Sequence, residues 1–238
     1  MTTIGGDVIS SRKRLAKRVV RGAGIEVGAL DAPYPIDPTI AEVRYVDRLP
    51  KADLLRHYPE LLPRAALIRE PDIIDDGERL DSIPNASQDF VIASHFLEHC
   101  ENPLATLRTF CRVLRPEAHL ILAVPNTANT ESWDHSRELT DFAHVVRDDE
   151  EGPEVSRETH YWEWVIHAGK MSGAAAEMEK TKLIDMRFSI HFHCWNAGTF
   201  MEFLERAIAR DRLAFAVVDQ YENAYEIAAV LRKTSMSA

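Results

Sequence analysis

Short apolar runs alternate with amphipathic helical patterns along the first half of the chain. Five runs are strand-like, because each is short and rich in aliphatic residues, and they cover residues 24–28, 43–47, 66–69, 90–94 and 119–124. Between them, residues 54–62 and 103–114 carry apolar side chains at helical spacing. Strands that alternate with helices predict a parallel, doubly wound α/β sheet.

The pattern changes after Asn126 and returns near Thr199. All four tryptophans and six of the ten histidines lie between positions 133 and 195. Beyond that segment, residues 199–209 are typical of a helix, and residues 215–218 and 225–231 are typical of strands. We therefore expect one α/β domain over residues 1–238 with an insertion at residues 127–190, which we call the lid.

Composition excludes several classes of protein. The chain has 238 residues and is 45% hydrophobic, which suits one large domain with a real core. No apolar run is long enough to cross a membrane, and three cysteines without C-x-x-C spacing indicate neither a disulfide framework nor a zinc knuckle. We expect a cytoplasmic protein without membrane insertion. The net charge of -10 disfavours nucleic acid, and the basic residues from Arg12 to Arg21 fit the exposed side of a helix.

Acidic residues and glycines follow three of the predicted strands. In open parallel sheets, ligands bind beyond the carboxyl ends of the strands, so these positions indicate a binding site. Glu26 and Gly28 end the first strand, and Asp47 ends the second, where a carboxylate can accept hydrogen bonds from ribose hydroxyls. Asp75, Asp76 and Gly77 follow the third, where a carboxylate can accept from the amine of adenine. A glycine that only shapes a turn is the alternative.

Six motifs in the same order resemble class I S-adenosylmethionine-dependent methyltransferases of the small-molecule branch. They are Glu26-Val-Gly28, Asp47, Asp76-Gly-Glu-Arg-Leu80, Asp89 to Ser94 with Phe96-Leu-Glu98-His99, Arg112 to Pro116, and Leu122 to Asn126. The resemblance implies a Rossmann-like sheet that is mostly parallel with an antiparallel last strand, and S-adenosylmethionine as cofactor. The usual G-x-G-x-G is reduced to a single glycine, Gly28, in a loop that ends at Pro33, so this loop is stiffer than in the family.

The resemblance also assigns the donor-binding residues one by one. The loop with Glu26, Gly28 and Ala29 would wrap the methionine part of the donor, and Asp47 would hold its ribose. Asp76 would read the adenine beside Gly77, with Asp75 as the alternative. Ser94 and His95, after the fourth strand, would also face the donor.

The lid resembles that of methyltransferases that modify bacterial glycans, in which D-x-x-R-x-x-T-x-x-x-H and H-x-H-x-W recur. Here these motifs begin at Asp134 and at His191. Indole rings mixed with Asp, Arg and His suit a saccharide, and the predicted substrate-binding residues are Trp133, Arg137, Trp162 and Trp195. The predicted reaction is methyl transfer to a saccharide hydroxyl, on a small molecule or an oligosaccharide.

Transfer to a hydroxyl needs a general base, and His144 is the first candidate, with His191 and His193 as the next. Mg²⁺ held by Asp134 and Asp148 is an open alternative, as is a transition metal on His160, Glu163 and His167 of one helix face. Other functions also stay open, namely an N- or O-methyltransferase of secondary metabolism and a donor-binding pseudoenzyme. A homodimer is the default assembly.

Overall fold

The computed structural model describes residues 6–130 and 132–235 and contains a seven-stranded sheet in the order β3-β2-β1-β4-β5-β7-β6. Strands β1 to β5 pair in parallel, whereas β7 is antiparallel to both β5 and β6. The predicted α/β sheet with an antiparallel last strand is therefore confirmed. The strands are β1 Gly22–Val27, β2 Ala41–Asp47, β3 Ile73–Ile74, β4 Gln88–Ser94, β5 Leu114–Pro125, β6 Phe215–Glu222 and β7 Glu226–Lys233.

Two predicted elements between β2 and β4 are wrong. Residues 66–69 form no strand, because only Ile68 of this apolar run is buried and Leu67 is 57% exposed; the edge strand is β3 instead. The predicted helix at residues 54–62 breaks into α2 (Lys51–His57) and a 3₁₀ turn (Pro59–Arg64). Pro59 causes the break, since proline has no N–H and disfavours helical geometry at the residue before it. Tyr58 accordingly has φ -121° and ψ 74°.

Helix α1 (Gly6–Val19) packs on the sheet with Leu15 and Ala16. Arg12, expected on the exposed side of this helix, is buried and forms an ion pair with Glu226 of β7 at 2.5 Å. The ion pair compensates both charges inside the protein. The rest of the basic stretch fits the prediction, since Lys13, Arg14, Lys17 and Arg18 are exposed.

Two capped helices cover the opposite face of the sheet. Helix α3 (Pro103–Val113) begins where the Asn102 side chain accepts a hydrogen bond from the Ala105 N–H, and helix α7 (Ala197–Asp211) begins with a capping box of Asn196 and Thr199. Both bury apolar faces against the main core, through residues such as Leu104, Leu107, Phe110, Phe200, Phe203 and Leu204. The core holds the strand ends in fixed positions.

The chain between β5 and α7 contains three helices, α4 (Phe142–Glu151), α5 (Glu154–His167) and α6 (Gly173–Asp185). Helices α5 and α6 share a small core with Ile190 and Phe192, separate from the core of the sheet. A β-bridge between Asn126 and Trp195, which we call the neck, joins the two ends of this excursion. Among the described residues, no helix is both long and apolar enough to cross a lipid bilayer.

Candidate active site

A cavity of about 980 Å³ opens beyond the carboxyl ends of β1, β2 and β4. Six of the predicted donor-binding residues line it: Gly28, Asp47, Asp75, Asp76, Gly77 and His95. The other three, Glu26, Ala29 and Ser94, are not among the described residues that line the cavity. Residues from separate strands thus meet in one cleft, as expected for an open parallel sheet.

The loop after β1 approaches the cavity through Gly28, whose φ of +67° favours glycine. A Cβ at Gly28 would lie 3.2 Å from the Phe96 ring, so a larger residue would narrow this side of the cavity. Glu26 is buried, and its carboxylate accepts a hydrogen bond of 2.8 Å from the Tyr34 N–H. Burial raises the pKa of Glu26 to about 7. Glu26 therefore shapes the loop from within and does not face the cavity.

Asp47 ends β2 and faces the cavity beside Arg48. Its Oδ1 accepts a hydrogen bond from the Arg48 N–H at 2.7 Å, and burial raises the pKa of Asp47 to about 6. The side chain of Arg48 donates to the Tyr58 hydroxyl at 2.7 Å, which fixes it along the cavity wall. A carboxylate at this place can accept hydrogen bonds from a diol such as ribose.

The turn after β3 distinguishes Asp76 from Asp75. Both carboxylate oxygens of Asp75 accept hydrogen bonds within the turn, from the Asp76 N–H and from the Ser82 N–H and hydroxyl. Asp76 accepts one, from the Glu78 N–H at 3.0 Å, and is exposed at the cavity. Asp76 is thus the more available of the two acceptors, in line with the order of preference from the sequence.

Gly77 and His95 complete this part of the cavity. A Cβ at Gly77 would lie 2.5 Å from Val27 and 2.6 Å from Phe96, so only glycine fits there. His95 adopts a positive φ of 53°, which is unusual for a residue with a side chain, and its Nε2 lies 3.1 Å from Glu226. The strained backbone directs the residue after β4 towards the cavity.

The strand order and this cleft agree with a comparison of sequence families. The profile of a methyltransferase domain matches residues 31–172. The chain belongs to this methyltransferase family. The class predicted from the strand-end motifs, an S-adenosylmethionine-dependent methyltransferase, is therefore confirmed, and this class implies S-adenosylmethionine as the methyl donor.

Solved structures are similar to this methyltransferase at low sequence identity. The CurJ carbon methyltransferase is 12% identical with a TM-score of 0.50, and the match covers 98% of this chain and 57% of that one. A SAM dependent methyltransferase from Aquifex aeolicus is also 12% identical, with a TM-score of 0.48 and coverage of 94% and 89%. N-methyltransferase NodS from Bradyrhizobium japonicum is 11% identical, with a TM-score of 0.44 and coverage of 96% of both chains. No curated protein sequence matches significantly.

The far wall of the cavity carries a histidine that contacts two indole rings. His191 lines the cavity with Trp133 and Trp164, whose ring centroids lie 6.1 Å and 5.3 Å from its own. The His191 Nδ1 lies 2.6 Å from Asp134, and Arg137 donates to the other oxygen of Asp134 at 2.9 Å. Burial favours a neutral ring, but the Asp134 carboxylate outweighs it and raises the pKa of His191.

The other two candidate bases of this methyltransferase lie elsewhere. His144 and His193 are not among the described residues that line the cavity, and His193 is fully buried. Both belong to a separate cluster with His160, in which the ring centroids of His144 and His193 are 5.7 Å apart. A ring outside the cavity is poorly placed to take a proton from an acceptor, because a general base must reach the proton that it removes. Of the three candidates, only His191 has that placement.

Three predicted substrate-binding residues have structural contacts instead. Trp195 is 1% exposed and packs against Phe200 and Phe203 in the main core. Trp162 packs against the small core of the lid, and Arg137 is buried, where it donates to the carbonyls of His191 and Phe192. Only Trp133 of the predicted set lines the cavity. Sequence spacing does not distinguish an indole in a core from an indole at a cavity, so only the packing separates Trp195 from Trp133.

The structure does not bring Asp134 and Asp148 together as an Mg²⁺ site. Asp134 is bonded to His191 and Arg137, whereas Asp148 accepts from Ser156 and faces His144. These contacts share no residue, and nothing in the family comparison implies Mg²⁺. The proposed trio on α5 is not formed either, since His160 faces His144, whereas His167 contacts Ser136 and Glu163 contacts Arg137.

Several cavity residues were not predicted as site residues. They are Arg48, Tyr58, Glu78, His99, Trp164, Phe188 and Ser189, among others. Arg48 had a detectable signal, because it directly follows the strand-ending Asp47. Phe188 and Ser189 had none, since only the fold brings the segment after α6 over the donor end of the sheet.

Proposed function

We propose that this methyltransferase transfers a methyl group to a hydroxyl of a saccharide, with His191 as general base. One observation carries the proposal: His191 lies in the cavity wall against Trp133 and Trp164, with its Nδ1 on a buried carboxylate. The ring is thus fixed in orientation while its other nitrogen is left for the acceptor.

Asp134 determines which nitrogen of His191 acts. The Nδ1–H donates to Asp134, so the lone pair of the neutral ring is on Nε2, the nitrogen that takes the proton. Arg137 holds Asp134 in place at 2.9 Å, and both side chains are almost fully buried. This arrangement matches the general pattern in which a third group orients the base.

The donor side of the cavity fits the cofactor of the family. Gly28 and Gly77 leave space that a Cβ would narrow or fill, and Asp47 and Asp76 present carboxylates for the ribose and the adenine. When bound, S-adenosylmethionine supplies an electrophilic methyl group on a sulfonium. The protein's part is to align the acceptor hydroxyl and remove its proton.

The indole rings support a saccharide as the acceptor. Trp133 is 52% exposed and packs edge-on against Trp164 at 5.4 Å, so apolar ring surface remains for a ligand. A pyranose ring presents C–H groups, which favour the electron-rich face of an indole. The net charge of -10 repels the phosphates of nucleic acid, so it favours an uncharged sugar as the acceptor.

The test is a transfer assay with labelled donor on oligosaccharides, small amines and phenols. We expect label on a saccharide hydroxyl. His191→Ala should lower kcat by roughly 10²- to 10⁴-fold with unchanged donor affinity, the range of a lost general base. Trp164→Phe should raise KM, whereas the matched Trp162→Phe, away from the cavity, should not. Transfer only to amines or phenols would favour the small-molecule alternative and refute the saccharide.

A further inference from the structure

Three histidine rings converge between the lid and the segment before α7. His144 comes from α4, His160 from α5, and His193 from the chain that leads to Trp195. One nitrogen of each ring lies within 4.8 Å of the others. Helices α4 and α5 are consecutive in the chain, whereas His193 follows His160 by 33 residues and reaches the cluster only through the fold.

Hydrogen bonds within the protein leave two of these rings, His160 and His193, with unsatisfied nitrogens, whereas the Nδ1 of His144 lies 3.4 Å from Arg147. His193 is fully buried, and no hydrogen bond of good geometry reaches either of its nitrogens, although the backbone of Glu101 lies near the ring. The Nε2 atoms of His144 and His160 face each other at 3.1 Å, and the Nδ1 of His160 has no partner. A proton on the Nε2 of His144 could form a hydrogen bond to His160 or to Asp148, but the nitrogens of His193 would stay unsatisfied. Buried polar atoms without partners are costly and rare, so they call for an explanation.

A carboxylate completes the set. The Oδ2 of Asp148 lies 3.0 Å from the Nε2 of His144 and 3.8 Å from that of His160, and Asp148 is fully buried. Its Oδ1 accepts a hydrogen bond of 2.5 Å from Ser156, which fixes the orientation of the group. Around a tetrahedral Zn²⁺, bonds of about 2.0–2.1 Å place neighbouring ligand atoms about 3.3 Å apart. The observed separations of 3.0, 3.1 and 3.8 Å lie around that value.

We propose that His144, His160 and His193, with Asp148 as the fourth ligand, bind one divalent transition metal ion of the Zn²⁺ type. Imidazole suits Zn²⁺ and its transition-metal neighbours, whereas Mg²⁺ prefers oxygen ligands and retained water. Four protein ligands make a closed site, which is typical of structural zinc. The ion would crosslink α4, α5 and the segment that contains His193. This segment also carries His191 of the cavity wall, two residues before His193.

A second group of potential ligands joins His99 and His191 of the cavity wall to the buried Glu98, whose carboxylate oxygens have no hydrogen-bond partner. Its rings already have partners, since His99 Nδ1 donates to the Ile190 carbonyl at 2.9 Å and His191 Nδ1 to Asp134 at 2.6 Å. The buried cluster with the unsatisfied His193 is therefore the stronger site, and the experiment distinguishes the two.

The test uses the full chain, stripped with a chelator and titrated with Zn²⁺ or Co²⁺. We expect one equivalent of tightly bound metal by elemental analysis and the intense visible absorption of tetrahedral Co²⁺. His160→Ala and His193→Ala should weaken binding by more than the roughly 10- to 100-fold that loss of an outer hydrogen bond costs. His119→Ala, on β5, is the matched control and should bind like the wild type.

Circular dichroism and donor titration verify that each variant folds. His160→Cys adds a readout that does not depend on loss of binding, because a thiolate ligand gives Co²⁺ a charge-transfer band in the near ultraviolet. Appearance of this band supports the site. The proposal is refuted if the wild-type protein takes up no equivalent of metal, or if His99→Ala abolishes binding while His193→Ala does not.

Discussion

Replacement of Arg12 by alanine should destabilise the protein although this residue lies on a terminal helix. The Arg12 guanidinium contacts both carboxylate oxygens of Glu226, with Nε at 3.1 and 3.2 Å and Nη2 at 2.5 Å. The side chains are 5% and 1% exposed, so solvent screens this pair little. His95 at 3.1 Å and the Tyr221 hydroxyl also contact Glu226.

The magnitude follows from the carboxyl group. Burial opposes the charge on Glu226, but His95 and Arg12 outweigh it and lower its pKa from 4.5 to about 2. One pKa unit corresponds to about 1.4 kcal/mol, so these contacts stabilise the folded state by about 3 kcal/mol at neutral pH. Removal of Arg12 leaves a buried carboxylate without its cation, which typically costs about 3–5 kcal/mol. We expect a loss of about 3 kcal/mol in the free energy of unfolding.

The assay is urea unfolding of wild type and Arg12→Ala at pH 7.5 and at several lower pH values. A depressed carboxyl pKa stabilises the fold above pH 4.5, and this contribution is lost as the pH falls towards 2. The gap between the two proteins should therefore narrow below about pH 4.5. Arg14→Ala, on the exposed side of α1, should stay within about 0.5 kcal/mol of the wild type.

The double variant Arg12→Ala/Glu226→Gln should recover part of the loss, because it removes the uncompensated charge. A loss below about 1 kcal/mol for Arg12→Ala at pH 7.5, or a loss independent of pH, would refute the reasoning. Either result would mean that the pair is solvated in solution.

Three further predictions concern the donor end of the sheet. Asp47→Ala should weaken donor binding about tenfold or more by calorimetry, and unchanged affinity would contradict the ribose assignment. The affinity of the wild-type protein for the donor should fall as the pH drops through 6, and Asp47→Asn should remove this pH dependence. Gly77→Ala should cost about 1–3 kcal/mol in urea unfolding, because its Cβ would overlap Val27 and Phe96, while Gly198→Ala, with only Asn196 at 3.4 Å, should not destabilise. The raised pKa of Glu26 means that the folded protein keeps a proton that the unfolded chain releases, so the wild-type free energy of unfolding should fall by up to about 3 kcal/mol between pH 4.5 and 7. Glu26→Gln should abolish this decline. An unchanged pH profile in the variant would show that Glu26 does not titrate in this range.

The sequence predicted the sheet well because its signals are local. Buried parallel strands such as β4 and β5 contain continuous apolar runs, and the ends of β1, β2 and β4 carry residues of the cavity. Strand β3 was misplaced because two residues carry no periodic signal; its pairing with Val46 and Asp47 defines it instead. Asp47 and Gly28 were placed at the cavity from the sequence because the strand ends border the cleft in this fold.

The lid was predicted in composition but not in contacts. Its histidines and tryptophans were recognised as a group, yet only three-dimensional packing assigns His191 to the cavity and His193 to the buried cluster. Strand alternation places these two side chains on one face, but the segment is not a regular strand in the structure. The burial of Trp195 and Arg137 was equally invisible. Trp195 is enclosed by the main core, and Arg137 donates to the carbonyls of His191 and Phe192, more than 50 residues away in sequence.

The neck between Asn126 and Trp195 has a consequence for how such a protein can diversify. The chain leaves the sheet and rejoins it at adjacent points, and the Asn126 amide also donates to Glu222 and to the Asn223 carbonyl of the β6–β7 hairpin. Insertions or deletions beyond this junction leave the register of β5 and β7 intact, and doubling the length of a closed loop costs only about 0.6 kcal/mol of chain entropy. The part of the cavity wall that this excursion supplies can therefore change during evolution, while the strand ends keep their geometry.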